Sequence, residues 1–194
     1  MIIGHIGARK GSKGVPGKNF RDMCGKPLMD WSLDQLINSA RVDAVVVSTD
    51  SPEMYEHAVG KGALDIGLRP AHLATDDAPK WGVWQHALDA AEALAGTATA
   101  FVDLDCTSPL RLAQDIDGAL DLFAREAPDM VMSCCIAGKN PYFNMVEPDE
   151  TGSRWSHQNR DPHDEHGETA TRPEPYASPD VEARSRDRIP KRQA

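Results

Sequence analysis

Residues Met1 to Asn19 read MIIGHIGARKGSKGVPGKN. The first seven are short, apolar and rich in isoleucine, the pattern of a strand buried in a parallel sheet. The run from Ala8 to Asn19 then holds three glycines, one proline and four cationic side chains, Arg9, Lys10, Lys13 and Lys18. Glycine admits positive φ and lets backbone N–H groups come close to a ligand. N–H groups set beside lysines suit phosphate oxygens. A solvated basic turn is the plain alternative. Position favours the ligand reading, because open α/β sheets bind ligands at the carboxyl ends of their strands. Two familiar loops are excluded by spacing: Gly11-Ser12-Lys13-Gly14 is not GxxxxGK[ST], and no GxGxxG occurs. His5, with no metal-ligand spacing around it, reads as a packed core histidine.

Outward from that loop the chain alternates strand and helix. After Gly25-Lys26-Pro27, the residues Leu28, Trp31, Leu33, Leu36 and Ile37 repeat with helical spacing, and Asp30 stands near the helix start. Val42 to Ser48 is a second buried strand. Asp50 or Ser51 caps the next helix, with Pro52 in its first turn and its end near Gly60. A weaker strand is expected at Ala63 to Gly67, and a helix at Lys80 to Leu94 with Trp81, Trp84, Ala87, Leu88, Ala91 and Leu94 on one face. The two tryptophans read as core. Thr97 to Leu104 is the next strand, Ala113 to Glu126 a helix, and Asp129 to Ala137 a fifth strand. This order predicts an α/β fold with a mostly parallel sheet, helices on both faces and right-handed crossovers.

The 194 residues suffice for one medium domain, or for a domain and a tail. Residues 1–152 carry the periodic pattern. From Ser153 to Ala194 hydrophobic periodicity stops, and the burial on offer cannot offset about 1–2 kcal/mol of backbone ordering per residue. That stretch reads as a poorly ordered polar tail, and its histidines 157, 163 and 166 as solvated. The net charge of −9 argues against nucleic acid or a membrane surface as general partner, while the one basic loop admits small anions. No apolar run reaches the roughly 20 residues of a membrane span, and no signal peptide is expected. Cys24, Cys106, Cys134 and Cys135 lack CxxC spacing and read as reduced thiols of a cytoplasmic protein.

Two further groups carry chemistry. Alternation along a strand puts Asp103 and Asp105 on one side, where hard carboxylates facing a phosphate loop suit Mg²⁺ and a nucleotide's phosphates. Capping of the next turn through Thr107 and Ser108 is the alternative. Arg69 and Asp76, in RPAHLATD, suit a base or a phosphate, or else a surface ion pair. No Ser-His-Asp or Cys-His nucleophile stands out, so the chemistry reads as positioning and charge neutralisation.

The pieces IGARKGSKGVPGKN, GKPL, VVVSTDS, LRPAHLATDDA, DLDCTSPLR and KNPYFNMV, in this order, resemble the acylneuraminate cytidylyltransferases, which make CMP-sialic acid and related CMP-nonulosonates. The resemblance covers about residues 1–150, and its first motif and TSPLR are the specific ones. It implies a Rossmann-like three-layer α/β/α fold of the nucleotide-diphospho-sugar transferase kind, with CTP and a nonulosonic acid sugar as partners, Mg²⁺ as cofactor, and a homodimer. It also implies roles. Arg9 and Lys18 would bind the triphosphate, with Lys18 neutralising charge as the α-phosphorus is attacked. Ala8, Ser12 and the loop amides would cradle phosphate oxygens, and Asn19 would touch nucleotide or phosphate. Arg69 and Ala78 would line the base pocket.

The chain departs from that pattern in three places. Asp105 stands where many relatives have the glutamine of LQPTSPLR, which suggests a metal or ribose role beside Asp103. Lys80 stands where relatives often carry a small hydroxyl residue. Beyond Gly152 no RRQ-like or NGAIY-like motif follows, as in a truncated or frame-shifted reading, so nucleotide binding is expected to outlast turnover. The related expectations are a 3-deoxy-octulosonate cytidylyltransferase and a degenerate nucleotide-binding protein without turnover.

Overall fold

The computed structural model describes residues 1–12 and 14–134, and the backbone of 147–148, 155–156 and 182–184. The elements in order are β1 (Ile2–Gly7), β2 (Asp22–Met23), β3 (Lys26–Pro27), α1 (Leu28–Ile37), β4 (Ala44–Ser48), α2 (Pro52–Gly60), α3 (Lys80–Ala95), β5 (Ala100–Asp103), α4 (Ala113–Glu126), β6 (Met130–Met132), β7 (Glu147–Pro148), β8 (Trp155–Ser156) and β9 (Glu182–Arg184). The chain forms two compact units, residues 1–133 with 178–194, and residues 134–177. In the second, β7 and β8 pair antiparallel.

The first unit is built on a five-stranded sheet ordered β4-β1-β5-β9-β6. β1 lies between two parallel neighbours, with Gly7 opposite Ser48 and His5 opposite Asp103. Side chains alternate across this ladder, as strand geometry requires. Ile6, Val45, Val47, Val102 and Leu104 face α1, α2 and α4, meeting Leu33, Leu36, Met54, Ala58, Ile116 and Leu120. Ile3, Val46 and Phe101 face α3 and meet Trp84, Ala87, Leu88 and Ala91. Each large side chain buried in this way contributes about 1.5–3 kcal/mol. The result is the three-layer α/β/α arrangement that the alternating sequence predicts. Gly4 allows α1 to sit this close: a Cβ there would stand 2.9 Å from Leu36 Cδ2 and 3.1 Å from Val42 Cγ1.

Local rules account for the ends of the elements. The Ser51 hydroxyl caps α2 by accepting from the Met54 N–H at 3.5 Å, with Pro52 following in the first turn. Asp30, near the start of α1, is buried and accepts from His57 at 2.8 Å and Lys61 at 2.9 Å. Trp81 and Trp84 meet edge to face at 5.7 Å, and Trp84 is buried in the α3 core.

Two stretches differ from expectation. Ala63 to Gly67 joins no ladder; one bond, from the Leu64 N–H to the Val45 carbonyl at 2.8 Å, ties it to the sheet. Gly62 and Gly67 bracket it at φ 108 and 75, turning the chain away after that single bond. Glu182–Arg184, within the stretch read as a tail, forms β9 between β5 and β6, antiparallel to both. Ladder bonds join main-chain groups and need no hydrophobic period, so composition does not reveal such a strand. Apart from β8 and β9, the residues of 153–194, with Lys13, Cys135, the KNPYFNMV motif and residues 135–137 of the fifth expected strand, lie outside the described residues.

Candidate functional site

Because β1, β4 and β5 run parallel and adjacent, Gly7, Ser48 and Asp103 end at one edge of the sheet. Ser48 is the junction there. Its carbonyl accepts from the Ala8 N–H at 3.0 Å and from Arg69 Nη2 at 2.6 Å, and its hydroxyl accepts from Arg69 Nε at 2.9 Å. The Arg69 N–H donates to the Thr49 carbonyl at 2.7 Å. Arg69 is buried and anchored by these three bonds to the end of β4. Burial lowers its pKa; the Asp50 and Asp103 charges oppose that shift, and the Arg9 charge adds to it.

The basic loop leaves this junction through Ala8, whose amide is committed to Ser48. The Lys10 N–H donates to Asp50 Oδ1 at 2.7 Å, and the buried Asn19 donates its Nδ2 to the Arg9 carbonyl at 3.1 Å. These two bonds hold the ends of the loop. A short 3-10 turn, Lys18–Phe20, closes it, with the Lys18 N–H on the Val15 carbonyl at 3.1 Å. Between this loop and residues 74–77 lies an open cleft of about 520 Å³ lined by Arg9, Gly11, Ser12, Ala74, Thr75, Asp76 and Asp77. The Arg9 guanidinium makes an ion pair with Asp76 across it. Ala78 follows the lining residues and ties back through its N–H to the Thr75 carbonyl at 3.4 Å.

Asp103 and Asp105 do share a side, and one side chain shows it: Lys80 Nζ lies 2.8 Å from Asp103 Oδ2 and 3.4 Å from Asp105 Oδ1. The other Asp103 oxygen accepts from His5 Nδ1 at 2.5 Å. Burial alone would raise the Asp103 pKa. The His5 hydrogen bond and charge, followed by the Lys80 ammonium, outweigh it and bring the carboxyl down to about 2. Asp105 is half exposed, but its carbonyl is fixed by Ser32 Oγ at 3.1 Å and Arg111 Nη2 at 3.2 Å. Arg111 is itself buried and donates to Gln35 Oε1 at 2.8 Å, while Gln35 Nε2 returns a bond to the Arg111 carbonyl. Next to Asp105, burial pushes the Cys106 thiol up to about 12; Asp105 and Asp103 add to the shift, and Lys18 and Arg111 oppose it. That thiol is no nucleophile at neutral pH.

Arg9 and Ser12 thus line one cleft, with Asn19 and Arg69 behind it as braces. Asp103 and Asp105 stand together at the next strand end. Reading the sequence for sites misses His5, Ser32, Gln35, Lys80 and Arg111. Arg111 alone carries a local signal, as the last residue of TSPLR; the others act through partners distant along the chain. As a magnesium site the carboxylate pair fits poorly, since one Asp103 oxygen is bonded to His5 and the other faces an ammonium. Among the described residues no group of three or more His, Cys, Asp or Glu side chains is gathered to hold a metal ion, and no helix is long and apolar enough to cross a membrane.

Residues 3–161 match the family model for cytidylyltransferases. Over 147 residues the chain is 37% identical to the post-translational flagellin modification protein B of Campylobacter coli, covering 75% of this chain and 63% of that one. It is 37% identical over the same length, with the same coverage, to the CMP-N,N'-diacetyllegionaminic acid synthase of Campylobacter jejuni. With the N-acylneuraminate cytidylyltransferase of Streptococcus agalactiae serotype V it shares 33% over 147 residues, 75% of this chain and 34% of the relative. The chain therefore spans less than two thirds of the length of these relatives. Among solved structures, a CMP:2-keto-3-deoxy-manno-octonic acid synthetase complexed with CTP superimposes with a TM-score of 0.59 at 15% identity, over 97% of this chain and 75% of that one. A cytidylyltransferase from Leptospira borgpetersenii does so with a TM-score of 0.57 at 18% identity, over 97% and 61%. At such identity the likeness concerns the fold.

Proposed function

This chain belongs to the cytidylyltransferase family, and from that premise we propose that it transfers CMP from CTP to the anomeric hydroxyl of a sialic acid or related nonulosonate. A bond forms between the anomeric oxygen and the α-phosphorus, the α–β phosphoanhydride breaks, pyrophosphate leaves, and the hydroxyl proton passes to solvent. The observation that carries this reading is the cleft beneath the basic loop, open at the carboxyl end of β1 and walled by Arg9 and Ser12. The chemistry asked of the protein is positioning and charge neutralisation.

In this reading Arg9 releases Asp76 and takes triphosphate oxygens. The exchange is cheap, because a half-exposed ion pair contributes only about 0–1 kcal/mol. Asn19 and Asp50 keep the loop in shape while it happens. Lys18 offsets the charge that grows on the α-phosphoryl group. Arg69 braces the floor of the site through Ser48, beside the base. Magnesium would accompany CTP as the counter-ion of the nucleotide's own phosphates. The free thiols of Cys24 and Cys106 support a cytoplasmic setting; a homodimer belongs to the same proposal and rests on the resemblance.

Pyrophosphate release from CTP, with N-acetylneuraminate or a di-N-acetylated nonulosonate as acceptor, tests the activity. Release that depends on the acceptor supports the transfer reading. CTP binding with no release favours a nucleotide-binding protein without turnover. Faster release with a 3-deoxy-octulosonate acceptor would reassign the sugar.

A further inference from the structure

Lys80 opens α3, where the positive end of the helix dipole disfavours an ammonium. Its position is set by other groups. Nζ lies 2.8 Å from Asp103 Oδ2, 3.4 Å from Asp105 Oδ1 and 5.0 Å from the centre of the Trp84 ring. The Asp103 carboxylate is buried, and its second oxygen is held by His5 at 2.5 Å. A buried carboxylate needs a compensating charge, and alternation brings Asp105 to the same side. Two carboxylates converging at a strand end ordinarily suit a hard divalent cation, which takes oxygen ligands. Here the space between them already holds a covalently attached positive charge.

We infer that Lys80 is the resident cation of the Asp103–Asp105 pair, that its ammonium stands where a divalent ion would bridge the two carboxylates, and that it positions the Asp105 side chain. The pair with Lys80 carries one net negative charge, against two without it. Asp105 is then fixed from two sides, at its carbonyl by Ser32 and Arg111 and at its carboxylate by Lys80.

The test is a Mn²⁺ titration of the full chain without nucleotide, read by electron paramagnetic resonance and by paramagnetic broadening of the Trp84 indole signal. The proteins are the parent, Asp105→Asn, Lys80→Met and the double variant Lys80→Met/Asp105→Asn. In the parent, Mn²⁺ should leave Trp84 sharp. Lys80→Met should gain a site at least about tenfold tighter than any in the parent, with Trp84 broadened, because a like charge has been removed from beside the ion. The double variant should lose that site. Broadening of Trp84 in the parent that disappears in Asp105→Asn would overturn the inference, as would a folded Lys80→Met that gains no Mn²⁺. If Lys80→Met does not fold, Lys80→Gln takes its place: a Mn²⁺ site gained there with Trp84 broadened upholds the inference, and a folded Lys80→Gln that gains none overturns it.

Discussion

The loop from Ala8 to Asn19 and the segment from Asp103 to Arg111 leave the same edge of the sheet, from neighbouring strands. The loop is tied at its ends, by Lys10 to Asp50 and by Asn19 to Arg9, and its principal charge rests on a half-exposed partner, Asp76. The acidic segment is held at Asp103, Asp105 and Arg111. Asp103 is bonded to His5 and paired with Lys80, the Asp105 carbonyl is bonded to Ser32 and Arg111, and Arg111 is locked to Gln35. The difference separates two tasks. A group that must trade one anion for another is kept on a weak, solvated partner. A group that must not move is buried among committed ones, where an unpaired charge is costly.

The largest effect expected from this contrast is on stability at the acidic end. Asp103→Ala leaves His5 buried without its partner and should cost about 3–5 kcal/mol in urea unfolding. A loss below about 1 kcal/mol would show that the segment is as loosely held as the loop. At the basic end the large effect should fall on turnover. Lys18→Ala should reduce CMP-sugar formation by about 10²–10³-fold, while its melting curve stays within about 0.5 kcal/mol of the parent. Unaltered turnover would remove Lys18 from the phosphate site.

Acid separates the two regions as well. Asp103 titrates at about 2 when folded, against 3.8 for a free carboxyl. Its contribution, about 2 kcal/mol, is complete above about pH 5 and lost as the pH falls toward 2. Asp103→Asn should flatten that part of the stability profile, and an unchanged profile would show that other carboxylates govern it. The smallest effect belongs to Asp76→Asn, which frees Arg9 from its exposed partner. It should tighten CTP binding about two- to fivefold, in keeping with an exposed pair worth under about 1 kcal/mol; weaker binding would mean that Asp76 itself helps hold the nucleotide.

The same contrast marks what is legible in the sequence. The loop announces itself, because its glycines, lysines and position after an apolar strand are all local, and so are the periods of α1, α3 and α4. The acidic end does not. His5 meets Asp103 across 98 positions, and Ser32 and Gln35 meet Arg111 across 79 and 76, so their pairing exists only once the sheet is assembled. His5 reads as a core histidine, which it is, but its carboxylate partner is invisible to pattern. Lys80 reads as the start of an amphipathic helix; its contact with Asp103 depends on α3 packing against β1 and β5. β9 is hidden for the opposite reason, since it is made from a polar stretch through main-chain bonds.

A cytidine triphosphate site formed by the loop and cleft should show as CTP-dependent thermal stabilisation of the full chain. At a CTP concentration 100 times its Kd, the parent should gain about 2.7 kcal/mol, an Arg9→Ala/Lys18→Ala variant should gain far less, and ATP should do less for the parent than CTP. No stabilisation of the parent at millimolar CTP, or an equal gain in the double variant, would contradict the account.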